Sequence, residues 1–211
     1  MSPSEKVKYI SNWIKSYVDQ MPSKAKSLVV GISGGIDSSV SSTLSAMTGL
    51  KTIVLSMPIK QKENQHDLSL KHQKWLVENF KNVEAHTINL DELFKSFSST
   101  LNKFDNEHGF ANSRARLRMA TLYQVAAANN GIVVGTGNKV EDFGVGFYTK
   151  YGDGGVDISP IADCNKTEVW EIGKELGILK EIIDAPPTDG LWDDGRTDEG
   201  QLGLSYKELE E

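Results

Sequence analysis

Residues 27–39 read Ser-Leu-Val-Val-Gly-Ile-Ser-Gly-Gly-Ile-Asp-Ser-Ser, and the rest of the chain is organised around them. Leu28-Val29-Val30-Gly31-Ile32 is apolar and rich in β-branched residues, which predicts a buried strand. Ser33-Gly34-Gly35-Ile36-Asp37-Ser38-Ser39 then leads directly into a predicted helix. The paired glycines allow close backbone approach and positive φ. The hydroxyls of Ser33, Ser38 and Ser39 add donors beside the free N–H groups of a helix start. A strand, a turn of small residues and a helix N-terminus together form an anion site, most often for phosphate.

A Walker A loop would bring a lysine to such a site. This loop has none, and Asp37 stands near that place. A bare carboxylate repels phosphate, so its expected role is to hold Mg²⁺ that bridges to phosphate oxygens. The plainer reading is an ordinary helix cap by Asp37 or Ser33, but two glycines, three hydroxyls and an Asp exceed what a cap needs. The stretch resembles the SGGxDS pyrophosphate loop of the N-type ATP pyrophosphatases. That resemblance implies cleavage of ATP between its α and β phosphorus atoms and an adenylated substrate.

The 211 residues suit one domain with its own core. A net charge of −6 offers no basic stripe for nucleic acid. One cysteine, Cys164, excludes an internal disulfide, fits a reducing compartment and reads as a small buried filler. No signal-peptide core and no apolar run of about 18 residues is present, so neither export nor a membrane span is expected, and a cytoplasmic location is. The four histidines are scattered, and His66 and His72 lack the i, i+4 spacing that brings two ligands together.

Val7, Ile10, Ile14, Tyr17 and Val18 predict an amphipathic helix over 7–18. Strands are predicted at 51–57, 83–88 and 131–135, and helices at 64–80, 90–104 and 110–130. The inner face of the 90–104 helix is expected to be Leu93, Phe94, Phe97, Leu101 and Phe104. Residues 137–157 read as a long functional loop. A helix over 165–176, a short one near 178–183, a loop over 185–203 and a last helix from Ser205 complete the reading. Strand alternates with helix, the pattern of a doubly wound parallel α/β sheet with helices on both faces. Ligands of such sheets sit beyond the carboxyl ends of the strands. The loops after Ile32, Met57 and Gly135 should therefore line one crevice.

Gly135-Thr136-Gly137-Asn138-Lys139-Val140-Glu141 follows the fourth strand. Glu141 alone is read more simply as a solvated loop acid; opposite Asp37 it would complete a two-carboxylate Mg²⁺ site, with phosphates and water supplying the rest. Tyr148-Thr149-Lys150-Tyr151-Gly152-Asp153-Gly154-Gly155-Val156-Asp157 is a loop shaped for a ligand. SGGxDS, GTGNKxE and TKYGDGGxD in this order, with Asn112-Ser113-Arg114-Ala115-Arg116-Leu117-Arg118-Met119, Lys166 after Pro160, Pro187-Thr188 and the tail from Thr197 through Ser205-Tyr206, resemble NAD synthetase. That family amidates deamido-NAD. The resemblance covers residues 27–210.

The resemblance implies that Gly31, Ile32, Ser33, Gly34, Gly35, Ile36, Asp37 and Ser38 cradle ATP, with Thr136 touching it. It implies Asp37 and Glu141 as Mg²⁺ ligands, and Arg116, Lys150 and Asp157 as contacts to deamido-NAD. Lys166 and Thr188 would bind phosphates and steady the transition state, and Asp153 would handle ammonium. Taken singly, Arg116 and Lys166 read equally well as surface residues of their helices. The implied reaction is attack of the nicotinic carboxylate on the α-phosphorus of ATP, loss of pyrophosphate, then displacement of AMP by ammonia. With no preceding glutaminase segment, free ammonia is the expected nitrogen source. The protein is expected to position and neutralise, without a nucleophilic side chain.

Members of the family carry an arginine just before the proline that ends the second strand, where this chain has Leu55-Ser56-Met57-Pro58. Thr188 is followed by Asp189-Gly190-Leu191-Trp192 rather than Ala-Asp-Leu. The family also continues into a segment with a His-Lys pair that closes on deamido-NAD, which this single domain is expected to lack. A homodimer with the dinucleotide at the subunit interface is implied, and Ala115, Met119, Leu122, Ala126 and Asn129 form the expected interface face; the other reading packs that face on its own sheet. Two rival functions stay open. One is another adenylating amidotransferase, such as a GMP synthetase or a tRNA-modifying enzyme, and the other is a non-catalytic nucleotide-binding module.

Overall fold

The computed structural model describes residues 1–59, 63–187 and 198–211, without the side chains of 63–66, 198 and 199. In chain order the elements are α1 (Pro3–Gln20), β1 (Ser27–Gly31), α2 (Ile36–Met47), β2 (Lys51–Ser56), α3 (Glu63–Asn79), β3 (Val83–Thr87), α4 (Asp91–Thr100), α5 (Glu107–Ala128), β4 (Gly131–Val134) and α6 (Lys166–Glu175). Three short helices follow: α7 (Lys180–Ile183), α8 (Asp198–Leu202) and α9 (Tyr206–Leu209). The strands form one parallel sheet in the order β3-β2-β1-β4.

Side chains alternate across a strand, and the register turns that alternation into two cores. Val30, Val54 and Val134 align on one face, and Val29, Ile53 and Val133 on the other. On the Val30 side, Ile14 of α1, Leu44 of α2 and Ile172 of α6 are fully buried. On the Val29 side, Phe94 of α4 and Ala126 of α5 close the second core. Both faces are covered over β1, β2 and β4, which is why these three strands are mostly apolar, while the edge strand β3 is polar and largely exposed.

Several boundaries differ from expectation for identifiable reasons. Helix α1 starts at Pro3 because Ser2 and Glu5 form a capping box; Trp13 and Tyr17 lie on its outer face, 38 % and 41 % exposed. Helix α4 stops at Thr100, and a tight 3₁₀ turn covers Asn102–Phe104. That turn rotates Phe104 outward to 79 % exposure, and Leu93 is 49 % exposed. The inner face is therefore Phe94 with the half-buried Phe97 and Leu101; Phe94 and Phe97 each meet Phe110 of α5 edge to face. The expected dimer face of α5 turns toward its own chain: Leu122 faces Gly31, Ala115 faces Gly152 and Met119 faces Gly155. Residues 198–202, expected as loop, form α8.

The start of β4 is tightly joined to β1. Lys26 N–H donates to Asn130 O at 2.7 Å, and Ser27 Oγ–H donates to Asn129 O at 3.2 Å. A Cβ on Gly131 would lie 2.3 Å from Ser27 Oγ and 2.8 Å from the Ser27 carbonyl oxygen. Gly131→Ala is therefore expected to lower stability by about 2 kcal/mol, as overpacking does. Urea unfolding checks this; a variant as stable as the parent would show that the two strands separate freely here.

The strand order reverses between β1 and β4, so the loops leaving these two strands flank a crevice at the carboxyl edge of the sheet.

Candidate active site

The loop after β1 is set by its own short side chains. Gly34 has φ +90°, which only glycine adopts without strain. Ser38 Oγ accepts from the Ser33 N–H at 3.2 Å, and Ser33 Oγ accepts from the Gly35 N–H at 3.2 Å. Ser38 and Ser39 hydroxyls donate to the Gly35 carbonyl at 3.1 and 2.8 Å. No side chain caps the first turn of α2, whose N-cap is Gly35. Its opening N–H groups therefore face the crevice as anion donors.

Asp37, in that first turn, meets residues from the loop after β4 and from α6. Asn138 is fully buried and works in two directions. Its Oδ1 accepts from the N–H groups of Val140 and Glu141, each at 3.1 Å, and its Nδ2 donates to Asp37 Oδ1 at 3.0 Å. This fixes the π-helical turn Lys139–Val145, which carries Glu141. Lys166 opens α6 and its Nζ lies 2.5 Å from Asp37 Oδ2 and 2.8 Å from Glu141 Oε1. The lysine side chain is 2 % exposed, against 18 % for Asp37 and 15 % for Glu141.

Burial pushes Asp37 upward, against the pull of Lys166. Glu141 is also raised by burial, but the Lys166 charge and the hydrogen bonds from Lys166, Tyr206 and Asn138 outweigh it and hold the carboxylate below its usual range. Burial works against the charge on Lys166, yet the two carboxylates prevail and raise it above the ordinary lysine value. Asp142, beside them, is pushed up to about 7 by burial and then by Asp153, Glu141 and Asp37. Gly137 leaves room for it, since a Cβ there would sit 1.9 Å from Asp142 Oδ2. The result is an acidic crevice that favours a cation.

The loop over 148–157 folds against α5. Arg116 Nε–H donates to the Lys150 carbonyl at 3.1 Å, which brings together two of the predicted substrate contacts. Asp153 Oδ1 accepts from the Thr149 N–H at 2.9 Å, and Thr149 Oγ1 donates to Asn112 Oδ1 at 2.6 Å. Asp157 is tied back to the sheet: its Oδ2 accepts from Val133 N–H at 2.8 Å and its Oδ1 from Tyr123 OH at 3.0 Å. Burial and then Asp157 push the Tyr123 hydroxyl up to about 12, so it stays a donor. Thr136 is half-buried just beyond β4. Thr188 lies outside the described residues.

Three residues inside the quoted motifs were given no role there. Asn138 stands inside GTGNK, and its capping preference was the available signal. Tyr206 donates its hydroxyl to Glu141 Oε1 at 2.5 Å across 65 positions, which no local pattern announces. Arg118 Nε–H donates to the Met57 carbonyl at 2.9 Å and brings a guanidinium to the end of β2, where Leu55-Ser56-Met57 has none. Cys164 is buried and its thiol is pushed up to about 11 by burial, consistent with a filler.

The two carboxylates converge on a single cation, the Lys166 ammonium. Among the described residues no group of three or more His, Cys, Asp and Glu side chains could hold a metal ion unaided. The donor set fits Mg²⁺, a hard cation that takes one or two carboxylates and completes its shell with phosphate and water. No helix is long and apolar enough to cross a membrane, among the described residues.

Comparison with known proteins agrees with this geometry. The family model described as NAD synthase matches residues 6–211. The NH(3)-dependent NAD(+) synthetase of Carboxydothermus hydrogenoformans is 39 % identical over 212 residues, spanning 98 % of this chain and 83 % of that protein. Among solved structures, the NMN synthetase of Francisella tularensis aligns with a TM-score of 0.91 and 37 % identity, over 99 % of this chain and 84 % of that one. The NH3-dependent NAD synthetase of Campylobacter jejuni aligns at 0.77 and 27 % identity, over 87 % and 77 %. The pyrophosphate-type loop, the opposed carboxylates and a match across nearly the whole chain carry one conclusion: the chain belongs to the NAD synthase family.

Proposed function

We propose that this chain is an ammonia-dependent synthetase that adenylates the carboxylate of deamido-NAD with ATP and replaces AMP by ammonia. The observation that carries this reading is the convergence of Asp37 and Glu141 on one cation beside the loop over 31–38. Gly31 through Ser38, with Thr136, would surround the ATP phosphates. Arg116, Lys150 and Asp157 would hold the acceptor, and Asp153 the incoming ammonium. Lys166, with Thr188, would meet the charge of the departing pyrophosphate. Bound Mg²⁺, held by Asp37 and Glu141, would neutralise phosphate charge. The residues themselves align the acceptor carboxylate with the α-phosphorus and exclude water.

The reading includes a cytoplasmic homodimer. The face of α5 expected at its interface touches its own chain at Gly31, Gly152 and Gly155, yet Met119, Leu122 and Asn129 on it stay half-buried and keep surface for a second copy. Sedimentation velocity tests the dimer.

A second reading concerns the size of the acceptor. The Francisella tularensis NMN synthetase aligns with this chain more closely in fold than the Campylobacter jejuni NAD synthetase does, although the Carboxydothermus hydrogenoformans NAD(+) synthetase is as similar in sequence, at 39 % identity against 37 %. By that likeness the amidated acid would be a mononucleotide. One experiment separates the readings: deamido-NAD and nicotinic acid mononucleotide are each supplied with Mg²⁺, ATP and an ammonium salt, and amide product and AMP are followed together. A higher kcat/KM with the dinucleotide supports the first reading, and a higher value with the mononucleotide supports the second. AMP with neither amide would reject both.

A further inference from the structure

The ligand pair described above already holds a cation. Lys166 Nζ is in direct contact with Asp37 Oδ2 and Glu141 Oε1. The remaining oxygen of Asp37 accepts from Asn138. Glu141 Oε1 accepts a second bond, from Tyr206 OH. The ammonium also rests over two rings, 5.0 Å from the Tyr206 centroid and 5.9 Å from that of Trp170. These two rings meet edge to face at 5.8 Å. Lys166 is thus seated among two aromatic rings and two carboxylates.

Mg²⁺ binds carboxylate oxygens at about 2.0–2.1 Å. On the oxygens that Lys166 holds it would lie within a few ångström of the ammonium, and two positive charges so close in a site of low dielectric repel strongly. The lysine cannot simply leave either, since its charge needs a counter-anion once it is out of water. Phosphate oxygens brought to the neighbouring loop are such an anion, and a four-carbon stem at the first turn of α6 can swing to them.

We propose that Lys166 is the resident counter-cation of the Asp37–Glu141 pair, seated by the positioning residue Tyr206, and that a divalent cation enters only together with ATP, whose phosphates receive the displaced ammonium. This inference rests on the ATP reading given above. It assigns Lys166 two successive partners and excludes uptake of free metal by the empty crevice.

The test uses Mn²⁺ as probe, followed by the electron paramagnetic resonance signal of the free ion, on the full chain, on Lys166→Met and on Tyr206→Phe. Each is measured without nucleotide and with α,β-methylene-ATP. The parent is expected to bind Mn²⁺ weakly alone and strongly with the nucleotide. Lys166→Met should bind Mn²⁺ alone at least about tenfold more tightly than the parent, since two uncompensated carboxylates then face each other. Its thermal midpoint should rise on adding Mn²⁺, while that of the parent stays fixed. Tyr206→Phe, which keeps the lysine but loosens its seat, should show a smaller gain of the same sign.

Nucleotide-free binding by the parent as tight as by Lys166→Met would overturn the exchange. If Lys166→Met does not fold, Tyr206→Phe binding Mn²⁺ no more tightly than the parent overturns it equally. Failure of α,β-methylene-ATP to bind the parent at all would instead reject the ATP reading on which the exchange rests.

Discussion

Asp37→Asn lowers kcat for amide formation by at least about a thousandfold, the scale on which removal of a preorganised charge-stabilising group acts, while the chain keeps its fold. The electrostatics of the triad separate the two effects. Two carboxylates share one ammonium, so the cluster carries an excess negative charge. Removing the Asp37 charge leaves Lys166 paired with Glu141, a balanced couple, and the one asparagine oxygen serves Lys166 at the expense of the single hydrogen bond from Asn138. The unfolding midpoint should therefore stay within a few degrees of the parent's. A variant that kept a tenth or more of the parent's kcat would exclude Asp37 as a metal ligand. One that unfolded would show that the aspartate is needed by the core instead.

The second large effect is on stability. His72 is fully buried. Its Nε2 is hydrogen-bonded to Ser42 Oγ at 3.0 Å, its ring stacks on Trp75 at 5.6 Å, and its Nδ1 has no hydrogen-bond partner among the described residues. Burial lowers its pKa from 6.5 to about 4. The unfolded chain therefore binds more protons than the native one between these values, and stability rises with pH across that window. The contribution is complete above pH 6.5 and is lost as pH falls towards 4. It amounts to about 3 kcal/mol over the whole window and about 2 kcal/mol between pH 7 and pH 5. Urea unfolding of the parent and of His72→Gln at those two pH values isolates it. Equal losses in both proteins would show that His72 does not titrate with folding.

The features legible in the sequence share one property: they are local. The loop over 33–39 was readable because a strand, two glycines and a helix start lie side by side in the chain. Strands β1, β2 and β4 were readable because both faces of the sheet are covered there and their runs are mostly apolar, whereas the edge strand β3, Val83–Thr87, is polar and largely exposed and offered only a weak alternation. Asn165 at the start of α6 belongs to the same class; Ser2, whose spacing to Glu5 is a capping box, is as local a signal but was passed over for the apolar spacing that starts at Val7.

What was not legible depends on partners far apart in sequence. Helical spacing put Phe104 inside, but α4 ends before it and the following turn faces it outward. The small residues of α5 suited a second subunit or the chain's own loop, and the contacts of Leu122, Ala115 and Met119 with Gly31, Gly152 and Gly155 come from segments far away in sequence. The ties that fix Asp157, from Tyr123 OH and Val133 N–H, come from residues 34 and 24 positions away. Tyr206 and Glu210 act on α6 from the last helix, the first through Glu141 and the second by accepting from Thr167 N–H at 2.9 Å.

The strand order β3-β2-β1-β4 also has a consequence for how the protein is made. One edge of β1 is covered by β2, which follows closely, but the other waits for β4. Between Gly31 and Gly131 the ribosome must add 100 residues, which at about 5–20 residues per second takes about 5–20 seconds. During that interval Leu28, Val29 and Val30 present unpaired backbone and valine-rich surface to the surrounding solution, the conditions under which strand edges aggregate. Slowing translation between these strands should lower the soluble yield, and nascent chains stalled before residue 131 should be the species that chaperones hold.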